Sequence, residues 1–191
     1  MHREGVFNVY DVADRITDNS DNSELFQVSN PINSFRGKHV ITHVDGDELA
    51  KIKKKLLSIH PIWHLNGGAK LESRLATLVF DSSVFNINLE KKAHVYQYCH
   101  PYPNEDDDTK YEHLSPSLLI LSDQTGHNFK VFGASGKDVF ATVTKSHRGN
   151  DMLVEAEHYT VTVQEGVDVL FMISIALMYE FALSDLVSSR E

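Results

Sequence analysis

The stretch VLFMISIALMY, residues 169–179, decides the fold of this chain. It contains one polar side chain, Ser174, although the protein as a whole is polar and acidic. A helix that is apolar on every face has to be buried, either in a membrane or in the core of a soluble protein. A membrane span needs about 20 predominantly apolar residues, whereas Glu180 interrupts this run. The sequence therefore favours a core helix.

We predict that this helix runs over residues 166–186, because Glu165, Gly166 and Asp168 are typical of a helix N-terminus. Phe171, Ile175 and Met178 should be among its most buried residues. The alternative is a single membrane span over residues 167–183.

The chain before residue 166 is dominated by short segments in which apolar and polar residues alternate, as in β-strands with one buried face. They are joined by turn sequences such as Asp45-Gly46, DQTGHN and GASGKD, in which a glycine with positive φ is expected. Many regularly spaced strands favour a sandwich or a barrel. The candidate strands are 5–12, 24–29, 39–44, 49–54, 61–66, 75–80, 84–90, 93–99, 117–122, 128–133, 139–146 and 158–164.

Composition narrows the functional classes. The formal net charge is −9, and residues 1–95 carry equal numbers of acidic and basic side chains, so the acidic surplus lies in residues 96–191. This balance is not that of a nucleic-acid-binding protein. The single cysteine, Cys99, excludes an intrachain disulfide, and the N-terminus lacks the apolar run of a secretory signal. We therefore expect an intracellular, cytoplasmic protein that is a monomer.

Three stretches, taken in order, resemble the LURP-one-related family of the tubby C-terminal-like superfamily, which is distantly similar to the phospholipid scramblases. They are FNVYDV with LFQV (7–12 and 25–28), VDGDELAKIKKKLLSIHPIWHL (44–65), and the closing segment from NFKVFG to the helix (128–183). The resemblance implies a mainly β fold: an antiparallel barrel of about twelve strands closed around one hydrophobic C-terminal helix, forming a single domain over 1–191. Only MHRE precedes the first matching strand, so either a first strand is missing or the barrel has an open edge there.

Catalytic and metal-binding patterns are absent from the sequence. It has neither a G-x-S-x-G nor a G-x-G-x-x-G motif, and we expect neither an enzyme nor a cofactor. His39 and His43 would share one strand face, as would His60 and His64, but no cysteine or helical histidine pair completes a metal site. We expect these histidines to be solvent-facing or hydrogen-bonded.

One basic cluster is a candidate binding site. In ELAKIKKKLLSIH, strand alternation places Lys51, Lys53 and Lys55 on one face, with Arg36, Lys38, Lys70 and Arg74 as possible neighbours. Such a cluster suits an anionic head group. The simpler interpretation is a solvated strand face that is kept polar to prevent edge pairing.

Function is predicted from the cluster together with the resemblance, because tubby domains bind phosphoinositides through basic residues outside the barrel. The first hypothesis is a non-enzymatic binding or adaptor module that reads phosphoinositides at an anionic membrane surface, with peripheral membrane association. The second is a protein-interaction module in stress or regulatory signalling, with the acidic second half as its contact surface. The calcium site and the palmitoylated cysteine segment of the scramblases are not visible in this sequence.

Overall fold

The computed structural model describes residues 5–10, 15–18, 20, 23–29, 38–55, 61–68, 73–81, 90–102, 114–147 and 157–188. These residues form twelve antiparallel strands followed by one helix. The elements are β1 (Gly5–Tyr10), β2 (Arg15–Asp18), β3 (Glu24–Ser29), β4 (Lys38–His43), β5 (Glu48–Lys54), β6 (Ile62–Gly67), β7 (Arg74–Phe80), β8 (Lys92–Tyr102), β9 (Leu118–Ser122), β10 (Phe129–Gly133), β11 (Val139–His147), β12 (Glu157–Val163) and α1 (Val169–Ser188).

The strands close into a barrel in which each strand pairs with its sequence neighbours. β1 completes the ring, because it pairs with β12 on one side and with β2 on the other. The predicted barrel is confirmed. Of the two alternatives for the N-terminal strand, the open edge is wrong, because both sides of β1 are hydrogen-bonded and closure removes a sheet's edges.

The structure has one strand that the sequence did not predict. β2, with the sequence RITD, was not predicted, because it has four residues and one buried apolar side chain, Ile16. The predicted strand over residues 84–90 lies, except for Glu90, outside the described residues and stays a prediction. The glycine predictions are confirmed: Gly46, Gly126 and Gly136 all have positive φ, which glycine adopts without steric cost.

The helix α1 fills the barrel. Every residue from 172 to 179 is buried, over more than two turns, so all faces of the helix are covered. Strand side chains that point inwards, such as Ile52, Leu78 and Val143, form one hydrophobic core with it. The segment Val169–Leu186 is long and apolar enough to span a membrane, but most of it is buried inside the barrel. The core-helix prediction is confirmed.

Ser174 is compatible with this core because its hydroxyl forms a hydrogen bond within the helix. The Ser174 hydroxyl donates to the carbonyl of Leu170, one turn earlier, at 2.7 Å, so this hydroxyl is not left unpaired in the apolar interior. Tyr179 is also fully buried, and its ring packs against Phe80 and Phe129, with centroids 5.2 and 4.4 Å away. Burial raises the pKa of the Tyr179 hydroxyl.

The helix begins at Val169, later than predicted. Gly166, with φ of 82°, forms part of a turn before the helix, and Phe171 therefore lies in the first turn, at the mouth of the barrel. Ile175 and Met178 are fully buried as predicted, but Phe171 is only partly buried, so that prediction is wrong.

Asp168 caps the helix N-terminus. Its carboxylate accepts a hydrogen bond of 2.7 Å from the backbone N–H of Phe171, one of the donors that a helix start leaves unsatisfied. Asp168→Ala should lower the free energy of unfolding by roughly 0.5–2 kcal/mol, the usual cost of losing such a cap. Urea denaturation measures this loss. Asp168→Asn keeps the capping oxygen and should remain within a few tenths of the parent; an equal loss in both variants would contradict the capping role.

Candidate functional site

The outer surface of β4 and β5 carries the predicted lysines. Ala50 and Ile52 point into the barrel and are 3% and 0% exposed, so Lys51 and Lys53 point outwards, as strand alternation predicted. Lys54 is the next residue on the same strand face as Ala50 and Ile52. Its ammonium lies 2.5 Å from the carboxylate of Asp185 on the core helix.

The strand register brings a further lysine to this surface. Lys38 on β4 lies directly opposite Lys53 on β5, and Lys55 follows Lys53 just beyond the end of the strand. Lys38, Lys53 and Lys55 each take part in at least one further interaction within the protein. Arg36 and Lys70, also proposed for this cluster, lie outside the described residues.

The positive charge of Lys51 is neutralised by Glu48, a residue of the same strand. Its ammonium lies 2.7 Å from the carboxylate of Glu48, and the two side chains are only 13% and 24% exposed. Residues three apart on a regular strand point to opposite faces. Here Ile41 pairs with Ala50 while Thr42 pairs with Glu48, so Leu49 is an extra residue in a β-bulge. The bulge turns Glu48 onto the face of Lys51, an ion pair that alternation alone does not predict.

A row of polar side chains continues from the lysines across the outside of the barrel. In this outer polar row, successive strands from β4 to β8 contribute residues that lie opposite one another: Lys38, Lys53, His64, Thr77 and Tyr96. His64 and Thr77 are 6% and 0% exposed, although they lie on the outer face of the sheet. β6 is buried on both faces along its whole length.

Hydrogen bonds join the buried part of this row. Nδ1 of His64 lies 3.0 Å from the Thr77 hydroxyl, and that hydroxyl lies 3.0 Å from the hydroxyl of Tyr98. Burial raises the pKa of the Tyr96 hydroxyl. The row was missed from the sequence, because its members are on five strands and only the register brings them together.

Arg74 is buried, with 7% exposure, and lies on β7, two strands from β5. It pairs with Asn66 on β6, and Asn66 lies opposite Lys51 on β5. Its place near the lysines stays a prediction. The sequence also has an acidic run at residues 105–108, which lies outside the described residues.

The histidines of β4 have partners other than a metal. The ring of His39 stacks on Phe181 of the core helix, with centroids 3.6 Å apart, and burial lowers its pKa to about 4, so it is neutral at pH 7. Nδ1 of His43 lies 2.9 Å from the carboxylate of Asp45 in the following turn. Among the residues that the structure describes, no three His, Cys, Asp or Glu side chains are grouped to hold a metal ion.

An open groove of about 600 Å³ lies elsewhere, along β11 and β12. Its lining is mixed in character and includes Lys137, Phe140, Thr142, Thr162 and Glu165.

Comparison with known proteins connects this barrel to a family. The family model of the LURP-one-related proteins matches residues 4–180. The chain belongs to the LURP-one-related family. That match spans all twelve strands and more than half of the core helix, so the family fold and the observed barrel coincide.

A solved structure supports the same fold. The X-ray structure of a protein from Arabidopsis thaliana superposes on this LURP-one-related chain with a TM-score of 0.59 and 16% sequence identity. The similarity covers 96% of this chain and 90% of the Arabidopsis chain. At this identity the likeness establishes the fold alone. A comparison with curated protein sequences gives no significant match.

Proposed function

We propose that this LURP-one-related protein is a non-catalytic binding module that docks on phosphoinositide-bearing membrane surfaces through the lysines of β4 and β5. The observation that carries the proposal is the direct cross-strand pair of Lys38 and Lys53. The pair concentrates positive charge at one place on the outer face of the sheet, and such a concentration attracts an anionic head group.

Two further features support this surface over others. Lys55 extends the cationic strip beyond the end of β5, and the tubby-like relationship implies ligand binding on the outside of the barrel rather than inside it. The helix α1 occupies the interior of the barrel and forms one core with the described strands. Lys51 has a smaller part than the sequence predicted, since its charge is matched by Glu48. An intracellular, peripheral location is part of the same proposal.

Removing the charges of Lys38 and Lys53 tests the proposed membrane binding. Each lysine near an anionic bilayer contributes about 1 kcal/mol, and about 1.4 kcal/mol corresponds to a tenfold change in affinity. Lys38→Gln/Lys53→Gln should therefore weaken binding to vesicles that contain phosphatidylinositol bisphosphate by roughly 30-fold at low salt. Vesicle sedimentation measures the effect, which should shrink as salt rises, because exposed charges are screened within about 8 Å at physiological ionic strength.

Lys130→Gln/Lys137→Gln is the matched control, because it removes the same charge from exposed positions on β10 and the following turn. This variant should bind the vesicles within about twofold of the parent. Equal losses in both double variants would mean that only the overall charge matters.

Absence of vesicle binding in the parent protein would instead favour the second hypothesis, a protein partner. The observation in its favour is the acidic surplus of residues 96–191, which an anionic membrane repels and a basic protein surface attracts.

A further inference from the structure

The core helix carries an acidic side chain, Glu180, at the end of its buried apolar run. Glu180 directly follows the residues that are buried on every face, and its side chain is 15% exposed. Its carboxylate lies 3.7 Å from Nδ1 of His127, a distance suited to an ion pair and too long for a hydrogen bond. His127 belongs to the turn between β9 and β10 and is 40% exposed.

That turn, residues 123–128, is internally rigid. The Asp123 carboxylate accepts hydrogen bonds from the Thr125 hydroxyl, the Gly126 N–H and the Asn128 side-chain amide, at 2.6, 2.8 and 2.7 Å. Burial opposes ionisation of Asp123, but these hydrogen bonds outweigh it and lower the pKa of the carboxyl. These hydrogen bonds tie residues 123–128 into one compact unit.

The turn touches the helix at two points one turn apart. Gly126, with φ of 84°, packs so closely on Leu183 that a Cβ at this glycine would lie 2.7 Å from a leucine methyl group. His127 approaches Glu180 beside it. One contact is apolar and insensitive to pH, whereas the other joins two titratable groups.

Other charged or titratable groups face Glu180 from the neighbouring strands. Among the described residues these are Tyr159 on β12 and Lys145 on β11, and the Lys145 ammonium lies 5.4 Å from the centroid of the Tyr159 ring. Asn128 links the turn to β11, because its side-chain carbonyl accepts the Lys145 N–H at 3.1 Å.

We propose that His127 and Glu180 form a pH-responsive latch, which holds the β9–β10 turn across the end of the barrel and releases it as pH rises. The buried Glu180 carboxyl lies against the turn, so its ionisation at higher pH places a negative charge in this contact, whereas the apolar contact of Gly126 with Leu183 does not change.

The titration of Glu180 sets the direction of the response. Burial raises its pKa above the ordinary value of 4.5, although His127, Tyr159 and Lys145 oppose the shift. A group whose pKa is raised in the folded state contributes stability that is complete below the unfolded value and is lost as pH rises through the folded value. The closed turn is therefore most stable on the acidic side and weakens towards neutral pH.

Hydrogen exchange of the full chain tests the latch. Amides of residues 123–128 should open more readily as pH rises from about 5 to about 8, after correction for intrinsic exchange, by up to tenfold for each pH unit between the two Glu180 pKa values. Glu180→Gln keeps the shape and removes the titration, so its turn should show little dependence on pH. This variant should also melt higher than the parent at neutral pH.

Two further variants make the outcome decisive. His127→Gln removes a group that lowers the pKa of Glu180, so the pH dependence of the turn should persist and extend to higher pH. Glu165→Gln, at an exposed acid before the helix, should behave as the parent does. If parent and Glu180→Gln show the same pH dependence over residues 123–128, the latch does not exist.

Discussion

Ile175→Asp is expected to prevent folding altogether. Ile175 is 0% exposed and lies in the middle of the helix segment that is buried on every face. Removing a large aliphatic core side chain costs about 2–5 kcal/mol, and burying an uncompensated carboxylate costs several kcal/mol more. The sum is comparable to the roughly 5–15 kcal/mol of net stability of a typical domain. Circular dichroism should show the loss of the β-sheet signal at room temperature.

Two control variants show whether burial causes the loss. Ser184→Asp adds the same carboxylate to the same helix at an exposed position, and it should fold with a melting temperature within a few degrees of the parent. Ile175→Val keeps the core apolar and should cost about 0.5–1.5 kcal/mol. A folded Ile175→Asp protein would show that the helix is not enclosed by the strands.

The fold was largely predictable because its signals are local. An apolar run that is too short for a membrane span and too apolar for a surface predicts a core helix, and strand alternation predicts the sheet around it. β2 escaped prediction because four residues with Ile16 as their buried apolar side chain give no period. The helix start was misplaced because acids precede it at Glu165 as well as at Asp168, and only Asp168 is the cap.

The candidate site was only half predictable, because its decisive features depend on pairing between strands. Alternation correctly placed Lys51 and Lys53 outside, but the bulge at Leu49 brings Glu48 onto the same face and pairs it with Lys51. The opposition of Lys38 and Lys53 depends on the register of β4 and β5, which no single strand encodes.

The contact between the two latch residues was also not predictable from the sequence, because it joins distant parts of the chain. His127 and Glu180 are far apart in sequence, and neither residue lies in a motif. Their meeting requires both the closure of the barrel and the depth at which the helix sits inside it.

Gly68→Ala is the second substitution with a large expected effect, and it acts on the site through the backbone. Gly68 directly follows β6, and a Cβ at this position would lie 2.0 Å from the backbone carbonyl oxygen of Glu48 and 2.8 Å from its carbonyl carbon. Backbone atoms of a paired strand cannot move aside as the end of a flexible side chain can. The start of β5 must therefore separate from β6, and the cost should reach or exceed the upper end of the roughly 1–3 kcal/mol range for overpacking.

The same displacement should weaken the proposed membrane contact, because Glu48 belongs to the bulge that sets the outer face of β5. Gly46→Ala is the matched control: Gly46 has φ of 90° but no atom within 4 Å of an added Cβ. Its cost should be only the roughly 1–2 kcal/mol of a left-handed backbone conformation. We expect Gly68→Ala to lose more unfolding free energy in urea than Gly46→Ala and to bind phosphoinositide vesicles more weakly. Equal stability of the two variants would mean that β5 and β6 do not approach each other as closely as the structure shows, and the bulge would then lose its role in orienting the lysines.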